Sequence, residues 1–407
     1  MTGLLAMSMA LSALGIDLML PAFPAIRRSF DLASDSTAVA GLVTAYFFGL
    51  AIGQLVYGPL SDRYGRKPTL YGGYVIYALG ALAGAFAPSL GLLLVARVIW
   101  GFGAAGPRVV TVAVIRDTYE GDAMARAMSL VMAVFLVVPV IAPTLGSTIV
   151  HFGSWRWIFI TCVGFVALMS IWAQRLPETL RPEHRMELRF GRLARAAKLV
   201  VTDRQALLYT LAQTALYGGF TAYIGSSETI IDKTFHHKAQ FPLIFGGLGA
   251  MMGVGMLVNA RVVNRFTARR VVHTVLFVFL ANAALFVFVA VTTHGKPPLG
   301  VFILLMAVVV TCHALLIPNS ASIAMLPMAA VAGTASSIMG ATQIAGGAIL
   351  GSFTDNAFDG TVRPLAFGFL GYGIVAFGLV LLAEKGRLFS RVAAADEPTA
   401  AAVEVVV

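Results

Sequence analysis

The residues that could do chemistry are the ionisable ones inside apolar stretches. Such a side chain costs roughly 2.5–3.5 kcal/mol in hydrocarbon on insertion scales, so each one that is kept needs a reason. Of 19 acidic residues, Asp17 alone is read as lying deep in an apolar run, with Glu228 near the end of another. Asp17 stands about seven residues from the end of its run, ~10 Å deep at 1.5 Å per residue. Arg97 is equally far from the end of an oppositely directed run, so the two share a depth. One reading places both in a common cavity, where Asp17 carries a proton whose hold depends on Arg97 and on bound solute. The other is a static ion pair that fixes two helices. Arg108 follows Arg97 by about three helical turns on nearly the same face; it lines the cavity ~16 Å further along or snorkels to the surface. Tyr223, Glu228, His313, Asn319 and Gln343, also in apolar runs, join Arg108 as candidate cavity residues. Each either contacts a substrate or closes an interhelical hydrogen bond.

Asp355 and Asp359 form Asp-x-x-x-Asp, a spacing that holds magnesium and a diphosphate in membrane prenyltransferases. No second acidic cluster accompanies it, and the neighbouring Asn356 and Gly360 read as a short loop, so a solvated turn is expected. No metal site and no cofactor are expected, and Cys162 and Cys312, both in apolar runs, suggest neither a disulfide framework nor a zinc site.

The elements that position these residues are apolar runs near the ~20 residues that an α-helix needs to cross a bilayer. They fall at about 3–24, 38–59, 69–87, 90–114, 123–149, 156–176, 205–231, 240–260, 271–293, 299–325, 333–354 and 363–383. With 58% hydrophobic and 12% charged residues over 407 positions, the chain reads as an integral membrane protein, since a soluble domain carries about twice that charge. The first run lacks a basic leader and a small-residue cleavage site, so it reads as a retained span. A net charge of +10 would suggest nucleic acid in a soluble chain. Here most Lys and Arg gather in alternate loops, which by the positive-inside rule puts both termini in the cytoplasm without any nucleic acid.

The longest loop, 177–204, is basic and rich in helix formers from Glu187 to Lys198. It divides the spans six and six, giving a first bundle over 1–176, a linker over 177–204, a second bundle over 205–384 and a tail over 385–407. The expected fold is an all-α membrane protein with twelve transmembrane helices in two pseudo-symmetric six-helix bundles. Glycines four apart (Gly80/Gly84, Gly249/Gly253, Gly347/Gly351) read as packing seams.

Between the second and third runs lies a tight polar turn, Gly58-Pro-Leu-Ser-Asp62-Arg63-Tyr-Gly65-Arg66-Lys67-Pro-Thr-Leu70. Most short basic loops only obey topology. This one sets glycine, acid and basic residues at fixed offsets, and it resembles the signature between helices two and three of the major facilitator superfamily. Asn264–Arg270 occupies the same place in the second half, keeping a basic pair but neither acid nor glycine. Asp17-Leu-Met-Leu-Pro21-Ala-Phe-Pro24 and Gln54–Arg63 are similar to the drug:proton antiporters with twelve spans, and to their Bcr/CflA (bicyclomycin and chloramphenicol resistance) branch. Arg97-x-x-x-Gly101-x-Gly103, followed by Arg116-Asp117, resembles the fourth-helix motif. Ala142-Pro143-x-x-Gly146 resembles the helix-five antiporter motif, Trp155–Phe159 the start of helix six, and Ala332–Ser337 the start of helix eleven.

That resemblance implies a proton-coupled exporter of drugs or amphipathic small molecules working by alternating access in a bacterial inner membrane, and not an enzyme. Its partners would be substrate, protons and the lipid bilayer, with no nucleic acid, and it would act as a monomer. Asp62 would dock at the N-terminus of helix eleven near Gly333 and Thr334, where the helix dipole favours an anion. Arg66 would pair with Asp117 in a cytoplasmic gate. One departure is Leu326, where the branch often has an acid, which removes an expected second titratable site. An uptake symporter or a single-metabolite exporter of the same fold is the alternative. A membrane transferase would need paired acidic metal sites, and a passive channel would have no use for the gate.

Overall fold

The computed structural model describes residues 1–181, 183, 185 and 190–389. Every expected span is a helix: α1 (Thr2–Asp17), α2 (Gly41–Tyr64), α3 (Arg66–Ala85), α4 (Leu90–Thr118), α5 (Gly121–Phe152), α6 (Arg156–Ala173), α7 (Arg204–Thr229), α8 (Phe241–Arg265), α9 (Ala268–Thr292), α10 (Leu299–Met325), α11 (Ala332–Asn356) and α12 (Arg363–Ala383). No strand occurs among the described residues.

Among the described residues, nine helical stretches are apolar and long enough to cross a membrane by themselves. The three that fall short are α3, α7 and α11. α3 carries Arg66 and Lys67 in its first turn, while α7 buries Gln213, Thr221, Ser226, Ser227 and Glu228. A helix enclosed by other helices has no need of an apolar face toward lipid, and small residues let its neighbours approach.

The packing repeats with a shift of six. α2 and α3 lie on α4 as α8 and α9 lie on α10, α1 lies on α4, α5 and α6 as α7 lies on α10, α11 and α12, and α3 meets α6 as α9 meets α12. These are two six-helix bundles. They touch along α2–α11 and α5–α8, a pair of contacts that the same shift interchanges.

α1 is shorter than its apolar run. Pro21 has no N–H to give the Asp17 carbonyl, and Pro24 none for Leu20, so the helix cannot continue. The chain makes a tight turn at Leu20–Ala22 and then a short helix, Phe23–Ser29. This break leaves Asp17 as the last helical residue. Gly146 of α5 packs directly on it, since a Cβ at that position would collide with the Leu18 carbonyl oxygen. The Pro143–Gly146 segment thus cradles the unwound end of α1.

A helix over Phe190–Thr202 rests on α7 and α11. The rest of the predicted helical stretch from Glu187, and the tail beyond residue 389, lie outside the described residues.

Candidate functional site

Asp17 faces the second bundle. It is buried and lies within electrostatic reach of Tyr217 and Tyr223 on α7 and of Tyr46 on α2. Aromatic rings surround this space. Phe47 of α2 meets Tyr217 edge-on at 5.8 Å across the bundle boundary. Phe220 stacks on His313 of α10 at 4.3 Å, and Tyr223 stacks on Phe245 of α8 at 5.7 Å. Arg108, half-buried on α4, is within electrostatic reach of Tyr46 and Tyr217, so it points toward this same space.

Several polar groups here have no protein partner. No hydrogen bond or ion pair among the described residues reaches the Asp17 carboxyl, and the Tyr223 hydroxyl is buried and unpaired. His313 is held by ring contacts alone. Asn319 differs: it donates to Asn259 Oδ1 at 2.6 Å and to the Leu315 carbonyl at 2.7 Å, tying α10 to α8. Gln343 is half-buried on α11.

Arg97 makes no ion pair with Asp17; it bonds the backbone of Gly15, two residues earlier in α1. Arg97 is fully buried; Nε donates to the Leu42 carbonyl at 3.0 Å and Nη1 to the Gly15 carbonyl at 2.7 Å. Its guanidinium lies over Tyr46 at 4.4 Å and Trp100 at 4.8 Å. Charge-assisted hydrogen bonds are worth about 1.5–3 kcal/mol each, and a desolvated cation–π contact about 2 kcal/mol. Arg97 therefore clamps α1 and α2 to α4, with Nη2 buried and without a partner among the described residues.

The two ends of the molecule are built differently. At the end carrying Gly58–Leu70, Arg66 organises a cluster: Nε donates to Asp117 Oδ2 at 2.7 Å, and Nη1 donates to Ser61 Oγ at 2.7 Å and to Asp62 Oδ1. The Asp62 carboxylate is thus held by Arg66 of its own bundle. It is not bonded to the first turn of α11; the exposed Gly333 and half-buried Thr334 make no hydrogen bond with it. Gly58 is the residue that lies against α11, near Ser337 Oγ. Arg63 is exposed and stacks over Tyr64.

Glu178, at the start of the linker, was not singled out from the sequence. Its carboxylate accepts from the backbone N–H of Arg66 at 2.8 Å and of Lys67 at 3.1 Å, capping α3. Lys67 Nζ donates to the Gln174 carbonyl at 2.8 Å, and Thr179 Oγ1 to Asp117 at 3.1 Å. Gly65 makes this possible. It has φ +106°, a left-handed value that L-residues avoid, and a Cβ there would strike the Glu178 carboxylate.

The opposite end is sealed across the bundle boundary. Arg27 lies in the short helix after the α1 break, and Nη1 donates to Glu228 Oε2 of α7 at 3.0 Å. Both side chains are 2% exposed. Arg27 also donates to Thr229 Oγ1 and to the Ser36 carbonyl, so its fork is filled. Glu228, grouped with cavity residues in the sequence, belongs to this seal.

Asp355 and Asp359 do not form a solvated pair. Asp359 Oδ1 accepts from the Thr361 N–H and hydroxyl in an exposed turn. Asp355 is inside α11, 4% exposed, with Oδ1 unpartnered. The expected loop begins later than the sequence suggested, because α11 continues to Asn356, two residues past its apolar stretch.

Two families of comparison bear on what this arrangement is. A family model described as Major Facilitator Superfamily matches residues 5–352. A bicyclomycin resistance protein homolog of Haemophilus influenzae is 29% identical over 356 residues, 87% of this chain and 88% of the relative. The multidrug resistance protein MdtL of Vibrio parahaemolyticus is 27% identical over 91% of this chain and 92% of its own length. A chloramphenicol resistance protein of Pseudomonas aeruginosa is 29% identical over 63% of this chain and 59% of its own. Among solved structures, a D-xylose-proton symporter superposes with a TM-score of 0.74 at 14% identity, over 96% of this chain and 97% of the other. A bacterial homolog of the human lysosomal transporter Spinster gives 0.70 at 14% identity, over 97% and 98%. The chain belongs to the Major Facilitator Superfamily.

Proposed function

We propose that this transporter exports amphipathic small molecules, drugs among them, in exchange for protons. One observation carries the reading: a buried Asp17 carboxyl with no protein partner faces an aromatic space between the two bundles. An unpaired carboxylate is costly to bury, so a proton or a solute's donor group must satisfy it. The two then compete for one group, which is what exchange requires. Aromatic walls accept varied apolar solutes through many weak contacts, and the relatives named for drug resistance favour the same reading.

The sealed end is the outer one, with both termini in the cytoplasm. The density of Lys and Arg at the end carrying Asp62 supports this orientation. The conformation is then closed outside, and the Arg66–Asp117–Glu178 cluster would act as the cytoplasmic gate that Asp62 completes on docking to α11 in the opposite state. Each bundle moves as a unit about the α2–α11 and α5–α8 contacts.

Inside-out vesicles with an acidified lumen test the exchange. Ethidium added outside is expected to enter the lumen and collapse the pH gradient, seen as recovery of a quenched acridine dye. An uptake symporter would leave the dye quenched and drain ethidium loaded beforehand into the lumen, and that result would overturn the proposal.

A further inference from the structure

Asp355 is buried more deeply than a residue at the end of an apolar stretch needs to be, and the exchange described above makes no use of it. It sits where three elements of both bundles converge: α11, the C-terminal end of α7 and the Thr37–Ala40 segment that leads into α2. A Cβ on Gly225 of α7 would collide with Asp355 Oδ2 and would lie 3.3 Å from the Ala40 Cβ. The carboxyl is thus wedged into the outer seal, one helical turn inward of the Arg27–Glu228 pair.

No cation faces it. On α7, Glu228 is committed to Arg27. On α12, the Tyr372 hydroxyl bonds the Leu350 carbonyl at 2.6 Å and Thr354 Oγ1 at 2.9 Å. On α4 the nearest side chains are Leu94, Val95 and Val98, and Arg97 spends its bonds on Gly15 and Leu42. Thr37 and Thr44 contribute no titratable group. No donor among the described residues reaches either oxygen of Asp355. A sealed carboxylate ion without donor or counter-charge is among the most costly groups a protein can hold, whereas the neutral acid is tolerated.

An access route lies beside it. A cavity of about 410 Å³ between α2, α4 and α11 is lined by Thr37, Thr44, Leu94, Val98, Ser352 and Asp355. Its walls are mostly apolar, and Thr37, Thr44, Ser352, Asn356 and the Asp355 carboxyl are the polar groups that water entering it would meet.

We propose that Asp355 is a second proton-binding site, loaded from the outer face through this cavity, and that the outer seal closes only when its carboxyl holds a proton. In the open state α7 and the Thr37–Ala40 segment part, water reaches the group, and it ionises. Closing then takes up one proton from outside, which links the seal to the gradient independently of Asp17. The proposal rests on the proton-driven reading above for its purpose, but its tests do not use transport.

The first test is labelling of the purified full-length protein with dicyclohexylcarbodiimide, an apolar reagent that attacks protonated carboxyls, followed by peptide mass spectrometry across a pH series. Asp355 is expected to be modified at low pH and to lose modification as pH rises, with no adduct on that peptide in Asp355→Asn. The second test is a spin-label distance between Ser34→Cys and Ala239→Cys, exposed sites on the two bundles at the outer end. The open-to-closed ratio of the wild type is expected to rise with pH, by up to about tenfold per unit for one linked proton. Asp355→Asn stays closed at every pH, and Asp355→Glu keeps the response. An unlabelled Asp355, or an Asn variant that opens with pH as the wild type does, overturns the proposal. Failure of ethidium exchange in vesicles with labelling and pH-dependent closure intact removes the exporter reading and leaves the proton site standing.

Discussion

Asp17→Asn is expected to lower proton-driven ethidium export roughly 5–150-fold, the range of a 1–3 kcal/mol coupling between two ligands. Asparagine keeps the size of the side chain and removes only its ability to exchange a proton. Because no protein group bonds the Asp17 carboxyl, the substitution orphans no partner, and thermal stability should hold. Downhill ethidium flux with equal pH on both sides should survive, since the aromatic walls of Tyr217, Phe220, Tyr223 and His313 are untouched. A combined loss of driven and downhill flux would mean that Asp17 shapes the site instead of coupling it.

Removing Arg27 is expected to have the largest conformational effect. Breaking a buried ion pair by deleting one partner costs about 3–5 kcal/mol, mostly from the charge left behind. Here that charge is Glu228, 2% exposed only while the outer end is closed. Opening hydrates it, so the penalty falls on the closed state and should shift the equilibrium about a hundredfold or more toward opening. The Ser34→Cys and Ala239→Cys spin-label distance should lengthen in Arg27→Ala and in Glu228→Gln. The exchanged pair Arg27→Glu with Glu228→Arg should restore part of the short component. An unchanged distance in both single variants would show that the α7 and Thr37–Ala40 contacts hold this end without the pair.

The helices were legible because lipid imposes a length on them. Each run of about twenty apolar residues became a helix, and the even split around 177–204 followed from counting. Where one span departed, the cause is local: Pro21 and Pro24 end α1 at Asp17. What could not be read was which side chains meet across long separations. Arg27 and Glu228 are 201 residues apart, and a pair of arginines after a proline-rich stretch gives no hint of its partner. Arg97 and Asp17 share a depth, yet depth does not fix rotation about the helix axis, and Arg97 turns to the Gly15 and Leu42 carbonyls instead. Asp355 was placed in a solvated turn because its Asp-x-x-x-Asp spacing sits at the end of an apolar run. The helix continues two residues further, to Asn356, and carries Asp355 inside; only the packing of α7 against α11 reveals that. Glu178 has a faint signal, an acid after a proline at a helix end, whose role depends on the φ of Gly65, 113 positions earlier in the chain.

The most direct measurement is proton release from purified protein in weak buffer near neutral pH, read by an indicator dye as tetraphenylphosphonium is added. Solute arriving at a protonated Asp17 should displace its proton, so the wild type should release protons with saturation matching the binding curve. Asp17→Asn should bind the cation and release none. Equal release by the wild type and Asp17→Asn, or binding by the wild type without release, would contradict the exchange of proton for solute at this carboxyl.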